Sequence, residues 1–426
     1  MPSTGKISGI NVLIPELQLK ATTDSAGRFT FNNLPPGVYL VQAEDNAYKL
    51  QDKKTVTISP GTGSSATFTL VPDNTVGTVV GSVPRSSLDN TPLGNPPQFP
   101  RTLAAYVAGQ YAFLADHAGG VPIVDVSVPT SPRVVKIIDA PSKPTGFLSR
   151  ALMTYGTDDG NYLVAVFDAD GAIFYDVSDK STPRMVYQVF SIDNSVGGID
   201  PSGLPPDYPN LQTLLSTGDF ALGPQAVTGR GNIVYVGGYH VILVFDISNR
   251  AAPALRKAVG TDGYSADLAI QKNLLVYADG QDVEIYDISS PFNPSLLGTY
   301  LSSVIGDYLG AATTDNVAAI SRGTPGVEIL DLSNPSNPTL LQAFSDIQSQ
   351  GVDSSWDGYF YAAAYDPLTL SSWMKVYRTD LSTRSAAEFY SVPLFTNPAY
   401  AMNVAVSGNY AYVAGRDDGL KIVKIK

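Results

Sequence analysis

Short apolar runs along most of the chain are each stopped by an aspartate and a polar, proline-bearing gap. From 241 the pattern reads VILVFDISNRAAP: five apolar residues, Asp246, Ile-Ser, then Pro253. The same phrase recurs as VPIVDVSVPTSP from 121, AIFYDVSDKSTP from 172, VEIYDISSPFNP from 283 and VEILDLSNPSNP from 327. A worn copy, WMKVYRTDLSTRSA, starts at 373, and a half-copy, GLKIVKIK, occupies 419–426. The runs end at Asp125, Asp176, Asp246, Asp287, Asp331 and Asp380, spaced by 51, 70, 41, 44 and 49 residues. A recurrence of this kind marks a repeat architecture of seven units, each about 42–50 residues, with one insertion between Asp176 and Asp246.

Each unit has the same grammar upstream of its aspartate. A β-rich run comes first, such as YAFLA (111–115), NYLVAVF (161–167), LLVYAD (274–279) or YAYVAG (410–415). A tight turn follows, among them HAGG, DADG, GGYH, ADGQD and RDDG, and Asp-Gly between strands is a strong hairpin signal. After the Asp and its gap comes another strand, PRVVKII, PRMVYQV, PALRKAV, PSLLGTY or PTLLQAF. Four strands per unit, repeated, is the pattern of a propeller blade. The last unit stops after its third strand. TVGTVVGSV (75–83) is the expected donor of the missing outer strand, because an open sheet edge is a liability. The Pro-rich stretch 84–101 would then carry the chain to the first unit.

The phrases VPIVDVSVPTSPRVV and GLKIVKIK resemble the LVIVD-repeat proteins, over residues 102–426. That resemblance implies a β-propeller on a bacterial or archaeal surface protein. The N-terminal part has another texture. ATTDSAGRFTFNNLPPGVYLVQAE (21–44) predicts a turn at Asp24–Gly27, a short strand at FTF, a turn at Pro35-Pro36-Gly37 and an alternating strand after it. It resembles the carboxypeptidase regulatory-like, transthyretin-like β-sandwich, the motif being met at Thr23, Asp24, Gly27, Phe29, Phe31, Leu34, Pro35, Gly37 and Tyr39. The resemblance implies an accessory or adhesive module without catalytic groups. That family has a strand ahead of the segment that GKISGINVLIPE resembles. Either an upstream start is missing, or another chain supplies the strand by β-augmentation.

The expected fold class is therefore all-β: a small β-sandwich, then a seven-bladed β-propeller. Six or eight blades stay open because the sixth unit is worn, with Arg378 and Thr379 inside its apolar run. The domain boundaries are 1–72 for the sandwich, apparently lacking its first strand, 73–101 for the closing strand and linker, and 102–426 for the propeller.

Composition narrows the function. Hydrophobic residues make up 44% and charged residues 15% of 426 positions, which suits a core and not general disorder. The net charge of −12 disfavours nucleic acid, since no basic patch is available to release phosphate counterions. There are no cysteines, so disulfides, thiolate metal sites and Cys nucleophiles are excluded. No apolar run is long enough to span a bilayer. No signal peptide follows Met1, so the chain is expected to be cytosolic or else a mature or trimmed form. Every Asn-x-Ser/Thr triplet has Pro in the middle, so glycosylation gives no clue.

Candidate chemistry is sparse. The repeated aspartates stand where a strand turns, and their side chains suit backbone N–H groups two residues on. The acidic turns DADG (168–171), TDDGN (157–161) and RDDG (416–419) leave Ca²⁺ open, but none matches an EF-hand loop. His117 and His240 both fall in turns and lack the partners of a triad or zinc site. Glu284 and Glu328 occupy equivalent strand positions and are expected on a solvent-facing side of the pleat. The insertion 191–223, with Pro205, Pro206, Tyr208 and Pro209, is the expected place for a binding face. No catalytic, cofactor-binding or metal-ligating residue is singled out, and no cofactor is implied. The first expectation is a non-enzymatic extracellular or cell-surface structural or adhesion protein. Its partners are other protein chains, copies of itself among them, or glycans. Such copies would join into a filament or surface layer by strand complementation at the sandwich. The alternatives are a propeller enzyme, a hydrolase or lyase acting on glycans in the central channel, and a virion or secretion-system component.

Overall fold

The structure, a computed structural model, describes residues 7–17, 19–44, 53–70, 75–88, 102–116, 120–139, 151–167, 170–189, 225–280, 282–304, 309–355, 358–381, 383–396 and 400–426. No α-helix occurs among them; two 3-10 turns, Pro15–Leu17 and Arg85–Ser87, are the only helical pieces. Among the described residues no helix is long and apolar enough to cross a membrane. The chain divides into two compact units, one of residues 1–80 with 408–410 and 423–426, the other of 81–407 with 411–422.

In the N-terminal unit one antiparallel sheet has the order Leu19–Thr22, Asn11–Ile14, Gly37–Glu44, Lys54–Ile58. Side-chain chemistry sets its turns. Asp24 Oδ1 accepts from the N–H groups of Ala26 (2.8 Å) and Arg28 (2.9 Å), closing the turn that brings Gly27 to φ +74°. The Tyr39 hydroxyl donates to the Pro35 carbonyl at 2.7 Å and so holds the Pro-Pro-Gly turn onto the sheet. FTF departs from the expectation of a strand. Residues 28–32 carry no strand pairing, nor do 66–70, because no neighbouring strand lies beside them among the described residues.

Seven antiparallel sheets follow among the described residues. Six lie within 102–138, 151–189, 226–264, 267–300, 310–344 and 348–396. The seventh is built from Ala401–Ser407, Tyr410–Gly415, Gly419–Lys424 and, as its fourth strand, Thr78–Val83. The Gly77 N–H donates to the Lys424 carbonyl at 2.8 Å at the start of that pairing. Gly81 lies against the first sheet, where an added Cβ would collide with the Pro129 carbonyl. The first strands of the sheets touch in succession, from Thr102–Ala108 through Ala151–Gly156, Ala226–Arg230, Asp267–Gln271, Gly310–Thr314 and Gln348–Ser355 to Ala401–Ser407. That last strand touches Thr102–Ala108 again, so the ring is closed.

The apolar runs of the repeats are middle strands covered on both faces, which is why they read as continuous rather than alternating. Every residue of Tyr162–Phe167 is buried. Phe174 of the second sheet packs edge-on against Phe245 of the third, ring centroids 5.2 Å apart. A bulge interrupts the pairing of the last two strands in six sheets, as at Phe174/Tyr175, Ile285/Tyr286 and Ile329/Leu330; five of these sheets have four strands and that of 226–264 has three. Bulges raise the local twist. Tyrosines join neighbours: the Tyr162 hydroxyl donates to the Arg250 carbonyl and that of Tyr235 to the Pro291 carbonyl, both at 2.9 Å. Each reaches from a second strand to the Asp-Ser-Pro turn of the next sheet.

Candidate functional site

An opening with a mainly apolar lining lies in the N-terminal unit. It has a volume of about 860 Å³. Its floor is the inner face of the sheet, with Ile10, Val12, Ile14, Tyr39 and Val41 buried there. Its walls are the two segments 28–32 and 66–70, which belong to no strand among the described residues. Burial along them alternates: Phe29 and Phe31 are half-buried with 28, 30 and 32 exposed, and Ala66, Phe68 and Leu70 are half-buried with 67 and 69 exposed. The rings of Phe29 and Phe68 stand 6.3 Å apart and those of Phe29 and Phe31 6.1 Å. The Lys54 ammonium lies 5.5 Å from the Phe68 ring centroid.

The repeated aspartates are bound into the fold. Oδ1 of Asp125, Asp176, Asp246, Asp287 and Asp331 accepts from the N–H of the Ser two residues on, at 3.0, 3.0, 2.9, 2.7 and 2.8 Å. The other oxygen meets an arginine in four of them: Arg133 at 3.1 Å, Arg184 at 3.0 Å, Arg256 at 2.7 Å and Arg384 at 2.6 Å. At Asp246 the Ser248 hydroxyl and N–H, with Arg256, hold the carboxyl down at about 2. In TDDGN the Asp159 carboxylate takes the Thr157 hydroxyl (2.6 Å), the Asn161 N–H (3.1 Å) and Arg250 (2.7 Å). Burial works against its charge, yet these bonds bring it to about 2. Asp417 of RDDG pairs with Arg416 at 3.7 Å. Residues 168 and 169 of DADG, His117, the His240 side chain and the insertion 191–223 lie outside what the structure describes.

Glu284 and Glu328 correct the expectation of solvent exposure, being only 4% and 2% exposed. The middle strands have no wet face, so these acids are paired inside. Glu328 meets Arg322 at 2.6 Å and takes the Ser302 hydroxyl at 2.6 Å. Glu284 takes the Tyr286 hydroxyl at 2.7 Å. One oxygen each of Asp279, Asp282 and Glu284 lies within 4.8 Å of the others. Asp279 stands where the fifth sheet has Arg322, so equivalent positions hold two acids in one sheet and an ion pair in the next. Carboxylate oxygens suit Ca²⁺ or Mg²⁺, but three fall short of the roughly six to eight that Ca²⁺ takes. This group was legible only as two acids in a turn with a third two residues on.

Two further carboxylates, absent from the sequence expectations, lie on the inner strands. Asp267 accepts from its neighbour Leu268 N–H (2.8 Å) and from Ala311 N–H of the next sheet (3.0 Å). Asp353 does the same with Ser354 (2.7 Å) and Val406 (2.7 Å). Burial pushes Asp267 up to about 7, the Asp353 charge adding to it, and burial pushes Asp353 up to about 6.

Residues 2–71 match the carboxypeptidase regulatory-like domain family, and residues 105–140, 225–261, 262–302, 318–346 and 398–425 match the LVIVD repeat. No curated protein matches the chain. Among solved structures, the WD40 repeats of RRP9 are similar at a TM-score of 0.57 and 11% identity, over 78% of this chain and 96% of that one. A chain of a mitotic checkpoint complex is similar at 0.57 and 13%, over 85% and 100%. U3-55K is similar at 0.55 and 13%, over 78% and 97%. At such identities the likeness concerns fold alone. The chain carries an N-terminal carboxypeptidase regulatory-like domain followed by LVIVD repeats that build a β-propeller.

Proposed function

We propose that this is a non-enzymatic structural or adhesion protein of the cell surface or extracellular space, which binds other protein chains at the groove of its sandwich. The observation that carries this reading is the groove itself, a mainly apolar opening of about 860 Å³ walled by two segments that join no sheet among the described residues. Concave, mostly apolar openings of roughly 300–1,000 Å³ are where ligands are commonly bound. The conspicuous polar groups of the repeats support it from the other side, because Asp125, Asp176, Asp246 and Asp331 are consumed by turns and arginines. On this reading copies join into a filament or layer. Sedimentation of the full chain from micromolar to millimolar concentration tests it; growth of larger species is expected, and a monomer throughout would count against self-assembly.

A second reading rests on Asp267 and Asp353. Carboxyls held near neutrality suit general acid-base work, and a glycan hydrolase or lyase in the central channel would use them. Both oxygens of each accept main-chain N–H groups, which favours the first reading. Glycan cleavage that vanishes in Asp267→Asn while the melting temperature holds would favour the second.

A further inference from the structure

We infer that the groove takes one extended β-strand of another polypeptide, with small or β-branched apolar residues at alternate positions, inserted between residues 28–32 and 66–70. This deepens the reading of the groove as a partner site and rests on it. The inference stands on the walls rather than on the apolar floor. Both walls show a burial period of two, Phe29 and Phe31 on one side, Ala66, Phe68 and Leu70 on the other. That period belongs to strands in a sheet, where side chains alternate between faces. Yet neither wall is part of any sheet among the described residues. Main-chain N–H and C=O groups need partners; Arg28 gives its own to the Asp24 turn, and the segments from Phe29 and from Ala66, which line one opening, present theirs to a chain laid between. A lipid or small apolar molecule would fill the floor and leave those edges as they are. A strand satisfies both.

The geometry also sets the strand's chemistry. Residues 66–70 are five positions, so a partner running their length covers roughly 17 Å at about 3.3 Å per residue. The Phe29 and Phe68 rings are already 6.3 Å apart and leave space for small or branched side chains rather than another aromatic. Charge is disfavoured inward, because the floor residues Ile10, Val12, Ile14 and Val41 offer no polar partner. Outward positions of the strand meet solvent and take polar residues such as Thr. This is β-augmentation with the inserted strand flanked on two sides.

Three labelled peptides test it with the full chain. The first alternates Thr and Val, the second has the same composition with the valines contiguous, and the third is the alternating peptide N-methylated at its main chain. Fluorescence anisotropy gives affinity, and hydrogen exchange gives protection at 28–32 and 66–70. The alternating peptide is expected to bind at least about ten-fold tighter than the other two, since each factor of ten is about 1.4 kcal/mol, and to slow exchange in both segments. Equal binding of all three without added protection would overturn the inserted strand but leave the groove as an apolar partner site. No binding of any peptide at millimolar concentration would overturn both.

Discussion

The two parts of the chain answer the same problem in opposite ways. Both are built from alternating or apolar strands whose edges need partners. The ring closes: Thr78–Val83 fills the fourth place of the last sheet, and the inner strands return to the first. The N-terminal unit has one complete sheet and, opposite it, two strand-like segments without one. The closed part spends its polar side chains on itself, as the Asp-Ser turns and the Arg322–Glu328 pair do. The open part leaves phenylalanines beside a cavity. What distinguishes them is not composition but whether each edge finds a strand. On the proposed reading, recognition belongs to the open part and rigidity to the closed one.

The comparison breaks most visibly if the ring is reopened. Deleting 75–83 removes the closing strand and is expected to cost on the order of 5 kcal/mol or more, comparable with the stability of a whole domain. Loss of cooperative melting would show it, and an unchanged melting temperature would sink the role of that strand. Arg322→Met comes next. It leaves Glu328 buried without its cation and is expected to cost about 3–5 kcal/mol by urea unfolding. Adding Glu328→Met should recover most of that loss. Gly81→Ala forces a Cβ onto the Pro129 carbonyl and should cost about 2–3 kcal/mol. Asp246→Ala removes one turn bond and a part-exposed ion pair, and about 1 kcal/mol is expected.

Acidity separates two sets of aspartates within the closed part. Asp267 and Asp353 have folded values of about 7 and 6, above the ordinary 3.8. The folded state keeps protons there that the unfolded chain has released, so their contribution to stability falls as pH rises from about 4 through 7. Asp246 and Asp159 are held at about 2, so theirs is present above about pH 4 and lost as pH falls toward 2. The urea midpoint should peak near about pH 4 and fall on both sides. Asp267→Asn should flatten the alkaline side alone.

The repeats, the turns and the source of the closing strand could be read from the chain, because Asp-x-Ser-x-Pro gaps and β-branched runs act locally. The register of burial could not. Glu284 and Glu328 look outward if a strand has one wet face, but neighbouring sheets cover both faces of the middle strands. FTF shows its alternation in sequence and in structure, yet a strand exists only with a partner, and no local residue supplies one. Asp267 and Asp353 were invisible because their acceptor role depends on N–H groups 44 and 53 residues away.

Cryo-electron microscopy of native assembled material tests the central claim most directly. The account predicts an extended strand from a neighbouring chain between residues 28–32 and 66–70, hydrogen-bonded to both. Assembled material whose sandwich groove is empty, with contacts made elsewhere, would contradict it.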